Sequence, residues 1–405
     1  MTARTTRVAS LAATILLVAA CSSTGTASPS ASAPPAATPT AAASEAATTA
    51  PSAAASEAAG CDAVQIGPVT QCEDLYTKYW PTINAAMDKL YEEAKASEGG
   101  TVVIWDWYEL APEVITAFET RFPGLKVKTA GYQGNTSAKI VAAKDTGTET
   151  SDFVSGSLTS AAPLIDGGFF DDVDWTSYGV PQEYMNIGFP NMLPDSINAY
   201  MQNVNTSKVP LADAPKSYED YLDPKWKDTL AMTSWNGQYF TGYGMLNGKD
   251  AMQKLITDLK ASGNLTLTDD PSTLLSTGDK PIIFAGQLFN PNPELAPVAV
   301  KDHPVWIQFN GVNKYGKNKA GAALYALWEA LDPDWLKAVL TQPEFTTSSV
   351  PFPGLPADSL AQATGLMKTN MDAFNEAAKI GQWENKDNRT QWIDLIKAAD
   401  EVMYQ

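Results

Sequence analysis

The sequence predicts an α/β protein in two lobes, each a mainly parallel sheet flanked by helices, behind a long tether that does not fold. Three observations predict it. From Thr101 onward, short β-branched runs alternate with stretches of helical periodicity, the order that builds parallel sheets. About 345 of the 405 residues lie beyond the tether, too many for one hydrophobic core and comfortable for two. Two clusters of aromatic and polar side chains, Trp105 to Glu109 and Thr233 to Tyr243, each follow a predicted strand, where open α/β sheets place their ligands.

The chain opens with Arg4 and Arg7 and then an apolar run from Leu11 to Ala20, too short to span a bilayer, so residues 1–20 read as a secretory signal peptide. Val18-Ala19-Ala20-Cys21 resembles a bacterial lipobox, which implies that Cys21 is lipidated and anchors the protein to the outer face of the cell membrane. Residues 21–60 are almost wholly Ala, Ser, Thr, Pro and Gly and cannot bury enough apolar surface to fold. As a flexible tether they reach about 35 Å. Of the three cysteines, Cys61 and Cys72 are left to pair in an exported chain, a short closure that contributes roughly 2–3 kcal/mol. Ile83, Met87, Leu90, Tyr91 and Ala94 form one helical stripe after Pro81.

Lys and Arg number 28 against 46 Asp and Glu, for a net charge of −18. That balance argues against nucleic acid and anionic lipid as partners and permits steering of cations.

Thr101 to Ile104 is a continuous β-branched run, as in a parallel strand covered on both faces. Pro112 suits the first position of the next helix. Val114, Ile115, Phe118 and Phe122 mark the apolar face of that helix, and Pro123-Gly124 stops it. Leu125, Val127 and Thr129 alternate with lysines as a half-covered strand. A polar turn, Gly131 to Ser137, offers Tyr132 before a helix through Ile140 and Ala143. Ser151 to Val154 is a third strand, and Ser155 and Ser157 follow it, able either to meet a ligand or to cap the helix from Leu158.

This order resembles the extracellular solute-binding proteins of ABC importers, in the branch that includes iron(III), polyamine and thiamine binders. Asp106-Trp107-Tyr108-Glu109 followed by Pro112 is similar to the first-loop Asn-Trp-x-Glu-x-x-Pro of polyamine binders. Asn205-Thr206, after a strand from Ile197, resembles the crossing into the second lobe, and Ala214 to Lys227 matches the family's Pro-x-Ser-[Trp/Tyr]-x-Asp-Leu-x-[Asp/Lys]-Pro-x-[Trp/Tyr]-Lys segment. The likeness runs from about Thr101 to Leu340. It implies the two-lobed type II periplasmic-binding-protein fold with crossing hinge strands: lobe 1 over 61–198 with 303–345 returning to it, and lobe 2 over 199–302 with C-terminal helices from 346–405. It further implies a monomeric receptor that delivers a small solute to an ABC permease, with no cofactor.

In the second lobe, Thr229 to Met232 is a short strand that opens onto Ser234, Trp235, Asn236, Gln238, Tyr239 and Tyr243. Pro281 to Phe284 is another, with Phe289 after it, and Val305-Trp306-Ile307 returns through the hinge. Ala320, Ala323, Leu324 and Leu327 form an apolar helical face, and Asp332-Pro333 starts the next helix. Two clusters, one per lobe, are what a closing cleft requires, with stacking faces and fixed polar groups on each wall.

Catalytic residues are not evident. The single histidine, His303, sits in a Lys-Asp-His-Pro turn and reads as exposed loop, and there is no phosphate loop, metal-spaced His/Cys set or nucleophile beside a base. Asp106 and Glu109 also read as the acid pair of a cell-surface glycan-active enzyme, an alternative that stays open although carboxylates so near in sequence seldom straddle a bond in the required way. Iron binders of the family show adjacent tyrosines, whereas Tyr239 is followed by Phe240. Trp107, Tyr108, Trp235 and Tyr239 with Asp106 and Glu109 suit an organic cation held by rings and an acidic wall, with a sugar stacked on the same rings as the nearest competitor.

Overall fold

A computed structural model describes residues 64–66, 69–71, 73–106, 109–132, 135–185, 191–199, 201–233, 237–284, 294–298, 300–332, 335 and 386–404. The leader, the tether, Cys21, Cys61 and Cys72 lie outside these. The described chain opens with a small antiparallel pair, β1 (Val64–Ile66) and β2 (Val69–Gln71), and a long helix, α1 (Glu73–Ala96).

Two five-stranded sheets carry the rest. The first contains β3 (Thr101–Asp106), β4 (Lys126–Gly131), β5 (Phe153–Ser157), β6 (Leu193–Ala199) and, much later in the chain, Val305–Val312. Between them lie α2 (Pro112–Arg121), α3 (Thr136–Thr146), α4 (Leu158–Asp166) and the short α5 (Gln182–Met185). The second sheet contains β7 (Gln202–Asn205), β8 (Leu230–Met232), β9 (Leu265–Leu267), β10 (Ile282–Phe284) and β11 (Leu295–Val298). Its helices are α6 (Thr241–Asn247), α7 (Lys249–Ala261) and α8 (Pro271–Thr277). The late strand of the first sheet is β12, followed by α9 (Lys319–Leu331) and the terminal α10 (Lys386–Tyr404).

The strand orders are β4-β3-β5-β12-β6 and β11-β7-β10-β8-β9. In the first sheet β3 is parallel to β4 and β5, while β12 runs antiparallel to β5 and β6. In the second, β10, β8 and β9 are parallel and β7 and β11 antiparallel. The chain passes from one sheet to the other between Ala199 and Gln202 and returns between Val298 and Val305. Each sheet has its own hydrophobic core, one around Phe118, Phe153 and Tyr325, the other around Tyr221, Phe240 and Phe284.

The β-branched run behaves as expected: Val102, Val103 and Ile104 are buried on a strand paired on both sides. Ile83, Met87, Leu90 and Ala94 are buried on α1, and Tyr91 reaches the Pro123 carbonyl at 2.5 Å. Several elements run further than the local pattern predicts. β6 begins at Leu193 rather than Ile197, and β12 continues to Val312, because pairing across the sheet sustains strands through residues of no β preference. The helix predicted to have one apolar face, α9, is instead buried nearly all round, between α1 and the first sheet.

Two residues set the position of α9. Asn318 caps it, its Oδ1 accepting the Gly321 N–H at 2.9 Å while its Nδ2 donates to the carbonyls of Ala94 and Thr101 at 3.1 and 2.9 Å. Gly321 lets the helix press on β3, since a Cβ there would stand 2.6 Å from Val102. Pro333, expected at the start of the next helix, is outside the described residues; Asp332 is buried and accepts a hydrogen bond from Arg121 at 3.4 Å.

Candidate functional site

The face of the first sheet under α9 gathers polar groups at the carboxyl end of β3. Eight helical residues rise about 12 Å and four strand residues about 13 Å. With Gly321 over Val102, Glu329 therefore comes to stand over Asp106. Register brings in the other strands. Val154 pairs with Trp105, so Ser155 lies beside Asp106; Ser155 pairs with Asn310 and Ser157 with Gln308. On the far side of β12, Gln308 pairs with Ser196 and Phe309 with Pro194, leaving Asp195 as the extra residue of a β-bulge, a device that re-aims a side chain.

These groups contact one another. Gln308 Nε2 donates to Ser155 Oγ at 2.8 Å, and Asn310 Nδ2 donates to Glu329 Oε2 at 3.0 Å. The Tyr325 hydroxyl faces Glu329 Oε1 at 3.4 Å. Asn310 is fully buried, and its Oδ1 has no partner among the described residues. Burial, and then the charge of Asp106, push Asp195 up to about 7. Burial raises Glu329 well above the usual carboxylate range, with repulsion from Asp195 and Asp106 adding to it and the bonds from Asn310 and Tyr325 opposing it. Three carboxylates so placed cannot all ionise cheaply without a cation among them. They interact through charge, and among the described residues no three His, Cys, Asp or Glu are arranged to hold a metal ion.

Of the predicted site residues, Asp106 and Ser155 belong to this cluster. The Asp106 carbonyl also accepts the Tyr132 N–H at 3.1 Å and the Thr136 hydroxyl at 3.0 Å, which ties down the turn before α3. Tyr132 lies elsewhere: successive strand residues face opposite ways, and its ring packs edge-on to Trp105, 5.2 Å between centroids. Glu109 is exposed on the loop before α2. Ser157 caps α4, its Oγ accepting from Ser160 N at 3.4 Å. Trp107, Tyr108, Ser234, Trp235, Asn236 and Phe289 lie outside the described residues, as does the side chain of Trp306.

Tyr239 requires a correction. Its ring is fully buried in the second core, between Tyr218, Phe240 and Phe284, and its hydroxyl pairs with that of Tyr221 at 3.0 Å. It offers a ligand no stacking face, and burial holds its hydroxyl well above the ordinary range, the reverse of what a phenolate ligand to iron needs. Gln238 and Tyr243 are half-buried, Tyr243 with its ring 5.5 Å from Tyr218. His303 also departs from expectation: it is buried, with Nδ1 2.6 Å from the Val300 carbonyl oxygen.

Sequence reasoning missed Asp195, Asn310 and Glu329. One signal was present, since Glu329 is the only charge in the apolar run from Ala320 to Leu331, and acids are seldom placed in such a run without a role.

In the second lobe, Thr233 follows β8 and is buried with its hydroxyl unpaired among the described residues. The turn after it is supported from α10. A Cβ on Gly237 would stand 2.4 Å from Asp400 Oδ1, and burial raises the Asp400 carboxyl to about 6. Gly237→Ala is expected to destabilise the protein by about 1–3 kcal/mol, measured by urea denaturation; an unchanged midpoint would show the turn to be pliant.

Comparison with known proteins bears on this arrangement. Residues 156–323 match the sequence profile of the family described as bacterial extracellular solute-binding protein. No curated protein matches the chain. Among solved structures, the spermidine/putrescine ABC transporter substrate-binding protein PotD from Streptococcus pneumoniae is 15% identical, with a TM-score of 0.53 over 75% of this chain and 99% of its own. Iron-bound HitA from Pseudomonas aeruginosa is 14% identical, with a TM-score of 0.53 over 74% and 99%. The substrate binding protein of an ABC transporter from Agrobacterium tumefaciens is 14% identical, with a TM-score of 0.55 over 76% and 97%. At such identities the structures speak for the fold alone, a two-sheet α/β architecture, and by sequence it is residues 156–323 that are similar to the bacterial extracellular solute-binding family.

Proposed function

We propose that the protein is the substrate-binding component of an ABC import system, a monomer tethered through Cys21 to the outer face of the membrane, which captures a small organic cation between its lobes and delivers it to a permease. The observation that carries the choice of ligand is the cluster of Asp106, Asp195 and Glu329, whose mutual influence is acid on acid with no basic group among the causes. A cation entering it relieves repulsion and restores full ionisation. A neutral sugar does neither.

The topology supports lobe closure. Two strand connections join the sheets, so a ligand that touches both lobes favours the closed state, which the permease recognises.

Calorimetric titration with putrescine, spermidine, thiamine, glycine betaine, ferric citrate and maltose tests the reading. At least one organic cation is expected to bind with a dissociation constant of roughly 10 nM to 10 μM and without turnover. Tight binding of ferric ion or sugar with every organic cation silent would overturn it, and release of product from a glycan would replace it with the enzymatic reading.

A further inference from the structure

Organic cations divide by what they ask of a site. A primary ammonium directs three N–H donors and needs three oxygen acceptors around it. A quaternary ammonium has no donor and is held by aromatic faces. The two demands are met by different constellations, and the described residues at the end of β3 contain one of them.

Asn310 decides the matter. It is fully buried, its amide nitrogen is committed to Glu329, and its carbonyl oxygen has no donor among the described residues. A buried acceptor of this kind calls for a donor, and its charged neighbours are acids: Glu329 from α9, Asp195 from the β6 bulge and Asp106 from β3. The aromatic groups described nearby offer no face to a quaternary head: Tyr325 and Tyr184 are fully buried, with their hydroxyls turned to Glu329 and to the Pro194 carbonyl. Trp105 and Tyr132 lie on the opposite face of β3 from Asp106, and Tyr239 is inside the second core.

We propose that this cluster seats a primary ammonium group, with Asn310 Oδ1, Glu329 and Asp195 as its three acceptors and Asp106 as the charge at the mouth. The proposal rests on the organic-cation reading above and narrows it to amines that carry a free –NH3+ end. Asn310 and Glu329 are then the residues that set specificity. Because the acids are crowded, the arriving ammonium displaces a proton from the cluster. The titratable groups facing it are Asp106, Asp195, Glu329 and the tyrosines Tyr325 and Tyr184, and the tyrosines stay protonated throughout.

The test uses 1,4-diaminobutane and its bis(trimethylammonium) counterpart, titrated at pH 7.5 in phosphate and in Tris. The diamine is expected to bind at least about 100-fold more tightly than the quaternary analogue, with an enthalpy that differs between buffers because a proton is released. Glu329→Gln keeps the shape of the site; it should weaken the diamine about 30- to 100-fold and remove the buffer dependence. Asn310→Ala should weaken it about tenfold, and Asn310→Asp, which keeps an acceptor, should restore most of that loss. Equal affinity for the two ligands, or a Glu329→Gln variant that binds the diamine as the wild type does, overturns the primary-ammonium assignment while leaving the cation receptor intact. Silence toward both, with ferric ion or sugar bound, fails the broader reading instead.

Discussion

Replacing Asp152 with alanine lowers the stability of the folded protein by about 3–5 kcal/mol, a fall in melting temperature of roughly 10 °C. Asp152 is 2% exposed. Its Oδ2 accepts the Val103 N–H at 2.8 Å, and its Oδ1 accepts those of Lys317 and Asn318 at 2.6 and 2.9 Å. One carboxylate thus fastens β3 to the turn that launches α9, and α9 carries Glu329. Without it, three backbone donors lose their acceptor inside the fold, each at a cost of about 1–3 kcal/mol less whatever water recovers. Asp152→Asn recovers only part, because the amide nitrogen meets a donor with a donor. Urea denaturation checks this, and a loss for Asp152→Ala below about 1 kcal/mol would mean that the turn is held by other contacts.

Without ligand, the protein loses stability as pH climbs from about 4.5 to 8. In the unfolded chain Asp and Glu ionise near 4; in the fold Asp195 is held near 7 and Glu329 well above its usual range. Between those limits the folded state holds more protons than the unfolded one, so the unfolding free energy falls with rising pH. The penalty is absent below the unfolded pKa and complete above the folded one. Asp400, raised to about 6, adds to it with the same sign. Glu119, Asp174, Asp220 and Asp270 are lowered by hydrogen bonds. Their contribution is present above pH 4 and is lost on acidification, below the window in question.

The expected drop between pH 5 and pH 8 is about 1–3 kcal/mol after allowance for solvent screening. The double variant Asp195→Asn, Glu329→Gln should flatten most of it, and a bound amine should stabilise the protein more at pH 8 than at pH 5. A wild-type profile that is level or rising across this range would show that the three carboxylates are far better solvated than their setting implies.

The parts of the fold legible in the sequence were those with a local cause. Thr101 to Ile104 is a strand because β-branched side chains fit a pleated, covered surface, and the helix after it starts where Pro112 needs no hydrogen bond. The leader and the tether are expectations from composition and lie outside the described residues, while Asp106 and Ser155 were proposed because ligands gather at strand ends, and the fold places both in the acidic cluster. Tertiary structure decided the rest, for reasons periodicity does not contain. A bulge opposite Gln308 and Phe309 turns Asp195 toward Asp106, and the close seat of Gly321 on Val102 sets how far along β3 Glu329 falls. Tyr239 looked like a wall of the site because its neighbours in sequence are aromatic and polar, yet in space it completes a core. Sequence spacing carries the type and order of elements because those depend on residues a few positions apart. Which acids meet depends on contacts between residues more than a hundred positions apart, and only packing brings them together.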